Sequence, residues 1–597
     1  MNTIFNKSVL IVSLFVMLFV GSSCEDNIGI KVTDEAPNAD KTLYDVIMND
    51  NELTDFVEIL NACNIPSEKR PDEIISVADS LFNTSRVYTL WAPINGSYNK
   101  DSVIERINAG FREDVMKTFV QSHVANFLKA AKGTYGENGE DGELILMLNE
   151  KKLEFAGSYE KGYTLDGKKL CSVNNRVKNG IIHKLSTVSE YQYNIWEYLL
   201  KSSLTSDTYE VDSMVNYLYS YNDTAFAKHL SIRGPIVNGV ETYLDSVFEV
   251  NNKLLSRYNG GVGELNNEDS LYTFYLPTNE LWNKMIELGE NHFNYYNVAG
   301  SDKELIDSLR LYYPRHYMTK YLAYSQLEQR YVTSPDSAMP TQYEYPRKLF
   351  AKSSLDSCVV ATKELSNGTL KIIDKFPYSI FDLWHDTIRV EAENQTLIDQ
   401  SAGKSSLEFF KEYTVYEKDM NPILKEAGNK LSGNKYIKLH NPDSTGTAST
   451  DQVKIQYYIP NVKSATYKVG LVLVPENIVD STFTDPNADK SAQLRIACNV
   501  LGYDPNAIKE DGSAPDEVQV LSSATIGTKD LPYDLTRIDT IFLPKPVKFP
   551  ICEYNTGGDI KNTRAGIAIH TNNRSNNKHT HVIRLDAILL IPVEDAE

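Results

Sequence analysis

The sequence predicts a multidomain protein, with two α+β domains followed by an all-β sandwich. First, the run at 88–99, Tyr-Thr-Leu-Trp-Ala-Pro-Ile-Asn-Gly-Ser-Tyr-Asn, is echoed at 271–282 by Leu-Tyr-Thr-Phe-Tyr-Leu-Pro-Thr-Asn-Glu-Leu-Trp. Two later landmarks recur in the same order. The segment around His123 answers the one around His316, and Asn179-Gly180-Ile181-Ile182-His183 answers Asn367-Gly368-Thr369-Leu370-Lys371. A nearly constant offset between ordered motifs marks a duplicated domain. Second, from Ile388 onward short alternating runs are separated by Gly, Pro, Asn and Asp, which is the signature of a sandwich. Third, 597 residues are too many for one core, and 42% apolar content suffices for several.

The first domain, 41–190, opens with a helix from Thr42, where Leu43, Val46 and Ile47, then Leu53, Phe56, Val57 and Leu60, fall at helical spacing. Arg86 to Pro93 reads as a strand halted by the proline. Phe111 to Ala131 reads as a second helix, with Val115, Phe119, Val120, His123, Val124, Phe127 and Leu128 on its buried face. A glycine-rich turn over 133–142 and short strands at 144–148, 152–156 and 180–185 complete the unit. The second domain, 193–377, opens with a helix from Asn194 and is the more divergent copy. A third echo, Ser379 to Trp384, reads as its helical exit. The sandwich, 387–597, carries strand patterns at 388–393, 436–439, 453–459, 465–474, 493–498, 537–543, 566–570 and 581–592.

The repeated landmarks resemble the fasciclin (FAS1) domain family, whose members carry an apolar-Pro-Thr-Asn strand, a helix with a His, and Asn-Gly-Val-Ile-His before the last strand. The first copy is closer, with Trp91-Ala92-Pro93, His123 and Asn179 to His183. The second departs from it, with Leu276 in place of the Ala and Lys371 in place of the second His. The resemblance spans about residues 40–377. It implies adhesion and ligand-binding modules without catalytic activity. The C-terminal segment resembles jelly-roll carbohydrate-binding modules at Glu391-Ala392-Glu393, at Ser464 to Val469 and at Leu585 to Pro592. That resemblance implies glycan binding. It also implies a structural calcium shared by Glu391 or Glu393 with Asp586, with no other cofactor expected; hard calcium takes several oxygen ligands.

The N-terminus predicts an address. Lys7 precedes an apolar run from Val9 to Val20, then Gly21-Ser22-Ser23-Cys24. This is a secretory signal over 1–23, too short for a comfortable span. Small residues before a Cys resemble a bacterial lipoprotein box, which implies lipidation of Cys24. Residues 24–40 read as a tether. Glu25 and Asp26 resemble the export signal of surface lipoproteins in glycan-foraging Gram-negative bacteria. The implied location is the outer membrane, lipid-anchored and facing outward, with the membrane touched only through the N-terminal lipid. Asp-(Ser/Thr)-aliphatic triplets such as Asp79-Ser80-Leu81 and Asp539-Thr540-Ile541 resemble an O-glycosylation signal of the same bacteria.

A net charge of −20 disfavours nucleic acid, whose phosphates need clustered Lys and Arg. Five cysteines beyond Cys24, scattered and without Cys-x-x-Cys spacing, are neither a disulfide framework nor a zinc site. His123 and His183 read as buried imidazoles bonded to backbone. The phosphate-loop, Gly-x-Ser-x-Gly and His-Glu-x-x-His patterns are absent. Sugar recognition needs aromatic rings beside polar groups; the candidates near turns are Tyr503, Tyr533, Tyr554, Asn572, Asn573 and Asn576. The expectation is a non-catalytic surface lipoprotein that binds extracellular glycan, supporting polysaccharide capture beside an outer-membrane importer. The alternatives are an adhesin binding host or neighbouring-cell protein, and a structural subunit of the importer.

Overall fold

The computed structural model describes residues 38–67, 73–136, 141–200, 209–229, 231–237, 239–258, 261–295, 303–327, 334, 336–338, 340–341, 350–377, 383–384, 386–399, 409–426, 428, 430–441, 452–479, 493–504, 509–510, 517–532, 537–554, 563–571 and 579–594. Three bodies of secondary structure follow in chain order, and the buried side chains form a core in each.

The first body holds helices α1 (Leu43–Met48) and α2 (Thr54–Ala62). Its strands are β1 (Tyr88–Pro93), β2 (Val124–Asn126), β3 (Glu143–Leu146), β4 (Lys152–Ser158), β5 (Gly162–Leu165), β6 (Lys168–Val177) and β7 (Gly180–Leu185). They form one sheet in the order β2-β1-β7-β6-β5-β4-β3. β1 and β7 lie parallel, second and third from the β2 end. β1 is buried on both faces. Leu90 and Ala92 face the helices, while Trp91 faces the sheet's concave side among Phe155, Tyr163 and Leu185. That is why the strand reads as a continuous apolar run. The sheet curls until its two edges meet, and Leu148 N donates to Val124 O at 2.8 Å.

The helix expected over 111–131 is a correction. Helical turns run only from Arg112 to His123, in α, π and 3-10 pieces, and Val124 begins β2. Val124 pairs with Leu90, so a β-branched residue at an open strand edge takes ladder bonds in preference to another helical turn. Phe127 and Leu128, assigned by spacing to a buried face, are 74% and 52% exposed.

The second body repeats this parallel pair. It has helices α3 (Ile195–Leu200) and α4 (Asp212–Tyr219), and two hairpins, β8 (Asn222–Phe226) with β11 (Phe248–Asn252) and β9 (Ile232–Val237) with β10 (Val240–Asp245). Then come β12 (Tyr272–Pro277), α5 (Asn279–His292), α6 (Lys303–Lys320), β13 (Ala323–Ser325), β14 (Val359–Leu365) and β15 (Gly368–Ile373). The sheet order β13-β12-β15-β14 matches β2-β1-β7-β6, and β12 and β15 are again parallel. Leu383 and Trp384 pack into this core, so the body extends past 377.

The repeated motifs are structural staples. Asn179 Oδ1 accepts from Leu43 N at 2.7 Å and its Nδ2 donates to Phe82 O and Thr84 O. Asn367 does the same with Ile195 N, Leu265 O and Asn267 O. Each Asn caps the helix that opens its own domain. Asn95 and Asn279, from the strand motif, accept from Asp55 N and Ser213 N in α2 and α4. Gly180 and Gly368 are required by close approach: a Cβ there would lie 2.3 Å from Tyr88 O and 1.9 Å from Tyr272 O.

The third body is a two-sheet sandwich. Its strands are β16 (Ile388–Glu391), β17 (Phe410–Thr414), β18 (Lys435–Leu439), β19 (Lys454–Tyr458), β20 (Ala465–Leu473), β21 (Ile496–Gly502), β22 (Gln519–Ile526), β23 (Asp539–Phe542), β24 (Val547–Phe549), β25 (Gly566–Thr571) and β26 (Ile583–Val593). One sheet runs β17-β18-β26-β20-β23, with β16 on β26 and β24 on β20; the other runs β19-β25-β21-β22. Ile437, Leu471 and Leu585 from the first meet Ile455, Ile496 and Ile567 from the second in one core.

Two buried lysines tie the bodies together. Lys151, in the turn after β3, extends Nζ to Glu197 at 2.9 Å, Glu268 at 2.5 Å and Ser366 Oγ at 3.0 Å, all in the second body. Lys463, just before β20, donates to Trp384 O and sits 4.4 Å from the Tyr317 ring centroid and 4.8 Å from that of Tyr554.

Candidate functional site

The two histidines are held by the fold. His123 Nδ1 donates to Phe119 O at 2.6 Å and Nε2 accepts from Ser189 N at 3.4 Å. His183 Nε2 donates to Lys129 O at 2.8 Å and Nδ1 accepts from Asn174 N at 3.3 Å. Burial pushes both imidazoles down to about 4, so they are neutral at pH 7. Both ring nitrogens of each are committed to backbone.

The first strand and the last, which is the middle strand of its sheet, bring Glu391 and Asp586 together with Glu393 close by in sequence, and Glu391 lies opposite Ala587 in the ladder. Arg389 bridges them, its Nε donating to Glu391 Oε1 at 2.8 Å and Nη2 to Asp586 Oδ2 at 3.1 Å. Ser432 adds its Oγ to Glu391 Oε1 and its N to Asp586 Oδ1. Glu391 Oε2 and Glu393 Oε2 are buried and find no hydrogen-bond partner among the described residues. Burial pushes the Asp586 carboxyl up to about 7 and raises Glu393. Among the described residues no group of three or more His, Cys, Asp or Glu has the spacing of a metal cage.

The sugar candidates separate. Tyr503 is 3% exposed and offers no ring face to a ligand. Tyr554 lies at the junction of the second body and the sandwich, where its carbonyl accepts from Tyr295 Oη at 2.6 Å. Tyr533, Asn572, Asn573 and Asn576 lie outside the described residues, as does Cys24. At the Tyr554 junction a crevice of about 190 Å³ is lined by Tyr317, Lys320, Asp386, Asn461, Lys463, Tyr467 and Tyr554. Rings, amines, a carboxylate and an amide therefore converge from both bodies. Sequence reasoning found only Tyr554 of this set. The others are single residues far apart in the chain, and no spacing links them. A larger polar groove of about 860 Å³ in the first body is lined by Asp79, Asn83, Arg86 and Lys178.

Cys63, Cys358, Cys498 and Cys552 are buried and Cys171 is exposed; all five are free thiols. Among the described residues no helix is long and apolar enough to cross a membrane.

No family model matches the chain, and no curated protein matches it. Among solved structures, the FAS1 domain pair of the insect cell adhesion molecule fasciclin I aligns over 50% of this chain and 90% of its own, at 12% identity and a TM-score of 0.18. The catalytic domain of a GH87 alpha-1,3-glucanase variant, in complex with tetrasaccharides, aligns over 35% of this chain and 29% of its own, at 10% identity and a TM-score of 0.15. At these values neither likeness bears on what this chain binds or catalyses.

Proposed function

We propose that the protein is a non-catalytic, lipid-anchored protein of the outer-membrane surface that binds extracellular glycan. In this reading two fasciclin-like domains carry a C-terminal jelly-roll module beside an outer-membrane importer. The crevice at Tyr554 carries the reading. A pyranose stacks its C–H face on a tyrosine ring, while amines, amides and carboxylates fix its hydroxyls. Half-buried Tyr554 supplies the ring, and Lys320, Asp386 and Asn461 supply polar groups. The test is a glycan array followed by affinity electrophoresis on the mature chain. A retarding polysaccharide is expected, with retardation weakened about tenfold or more by Asp386→Asn, since removing one buried polar contact costs roughly 1–3 kcal/mol. A folded chain silent across the array sinks the proposal.

The expected calcium is part of the same proposal. Glu391 or Glu393, each with an Oε2 that finds no hydrogen bond among the described residues, would share the ion with Asp586, in a group that Arg389 already neutralises in part. Bound calcium would hold the first and last strands together. Calorimetric titration with calcium and a melting point that falls with chelator are the expected results, and the absence of both removes the ion from the reading.

Adhesion is the second reading, and the hairpins of the second body favour it. Phe226, Phe248 and Val250 are 40%, 55% and 55% exposed there, with Phe226 against Tyr243 at 4.7 Å between centroids. Contiguous exposed apolar groups mark interaction surfaces. Binding of cells or matrix that is lost with Phe248→Ser, without loss of glycan binding, would select this reading.

A further inference from the structure

Where the first body meets the second, an amine and an amide are buried on the same carboxylates. Lys151 and Asn194 are each 3% exposed. Glu268 Oε1 accepts from Lys151 Nζ at 2.5 Å and from Asn194 Nδ2 at 2.8 Å, so both nitrogens lie within hydrogen-bond reach of one oxygen. Glu197 Oε2 bridges the pair again, accepting from Lys151 Nζ at 2.9 Å and from Asn194 N at 3.0 Å. Ser366 Oγ accepts from Nζ at 3.0 Å, and Asn266 O accepts from Asn194 Nδ2 at 3.3 Å. The Tyr191 ring centroid lies 5.0 Å from Nζ.

Capping explains part of this arrangement. Asn194 Oδ1 accepts from Glu197 N at 2.8 Å, so the two residues form a reciprocal cap on α3. In the first repeat Thr42 and Asp45 make the same box on α1, with a hydroxyl in the amide's place. A cap therefore needs no amide, and the ion pairs of Lys151 need none either. What Asn194 adds is a carbonyl carbon whose oxygen already receives an N–H. Beside it lie a buried primary amine and a carboxylate that touches both nitrogens. Those are the parts of an acyl transfer: an electrophile with its oxygen held, a nucleophile and a proton carrier.

We propose that Lys151 and Asn194 are joined by an isopeptide bond that the folded chain forms on its own. Glu268 takes a proton from Nζ, and the nitrogen lone pair attacks Asn194 Cγ. The negative charge that develops on Oδ1 is met by the N–H of Glu197. Glu268 passes its proton to Nδ2, the Cγ–Nδ2 bond breaks, and ammonia leaves. Glu268 keeps the second proton that Nζ gives up. An ion pair and a primary amide thus become a secondary amide, a neutral carboxyl group and free ammonia, and no co-reactant is consumed. Glu197 retains its pair with Lys117. Folding supplies the proximity, and burial keeps water from competing for Cγ. The product keeps Oδ1 as the cap of α3. It closes a covalent ring from the turn after β3 to the residue that opens the second repeat, so the two repeats stay tied when their ion pairs break.

The purified full chain is digested with trypsin under denaturing conditions and read by tandem mass spectrometry. A branched peptide is expected, joining the segment around Lys151 to the segment around Asn194 and lighter than the two together by one ammonia. Lys151→Arg keeps a cation for both glutamates but offers no primary amine, and it is expected to remove the branch. Glu268→Gln is expected to slow its appearance at least about tenfold, because proton transfer by a positioned group is worth about 10²–10⁴ in rate. Linear peptides alone from the folded, unsubstituted chain, with a free Lys151 amine and an intact Asn194 amide, overturn the proposal. A branch at Glu197 or Glu268, lighter by one water, overturns the choice of acceptor. A branch that forms equally fast with Glu268→Gln overturns the proton relay.

Discussion

Asn179 and Asn367 are each buried, and each satisfies three backbone groups from two distant segments. Alanine at 179 would take the partner from one N–H and two carbonyls, whereas at 367 it would orphan only Ile195 N, because Leu265 O and Asn267 O also accept from Trp196 N and Ser270 N. Asn179→Ala is expected to cost about 3 kcal/mol in denaturant unfolding and Asn367→Ala about 2 kcal/mol, since orphaned buried polar groups carry most of their desolvation penalty. The histidines make a second prediction. Folding lowers His123 and His183 to about 4 from 6.5, mainly by burial. The unfolded chain therefore binds more protons between those values. Their contribution is complete above pH 6.5 and is lost as pH falls toward 4. It amounts to roughly 3 kcal/mol for each ring. Urea midpoints measured from pH 7.5 to 4 should fall steeply, and His183→Gln should flatten part of the slope.

At the scale of elements, the parallel pairs β1–β7 and β12–β15 are the repeated unit, and their close approach is set by Gly180 and Gly368. Gly368 has φ of 137°, and a methyl group would strike Tyr272 O. Gly368→Ala is expected to cost at least about 3 kcal/mol or to prevent folding, read by circular dichroism and thermal melts. These central elements were legible in the sequence because their residues cannot be exchanged: a capping Asn and a glycine against a carbonyl leave a mark at fixed positions. The stretch from Phe111 to Ala131 was not legible. Its apolar spacing fits a helix throughout, and only the open edge of β1, a tertiary feature, converts Val124–Asn126 to strand. The carboxylates Glu391, Glu393 and Asp586 entered through the resemblance of their terminal strands to jelly-roll modules, whereas nothing in the sequence placed Arg389 between Glu391 and Asp586. Of the crevice, Tyr554 alone was visible, because the other lining residues meet only through the packing of two bodies.

For the whole molecule, Lys151 and Lys463 decide how independent the three bodies are. Lys151 is 3% exposed and holds two half-buried glutamates. Lys151→Met would leave Glu268 without a counter-charge, while Glu197 keeps its ion pair with Lys117, at a cost of about 3 kcal/mol. Calorimetry should then show the first body melting apart from the rest. Lys463→Met keeps the volume but loses the bond to Trp384 O and the cation–ring contacts. It is expected to cost less, about 2 kcal/mol, and to loosen the second body from the sandwich, with new proteolytic cleavage between 377 and 387.

The reach of the two capping asparagines has a consequence in time. Leu43 N must wait for an acceptor 136 residues later, and Ile195 N for one 172 residues later. A nascent chain leaving the ribosome therefore cannot complete the capping of its opening helix until the turn before the closing strand of that domain has emerged. Each repeat therefore completes its caps in one late step, after its closing strand is available.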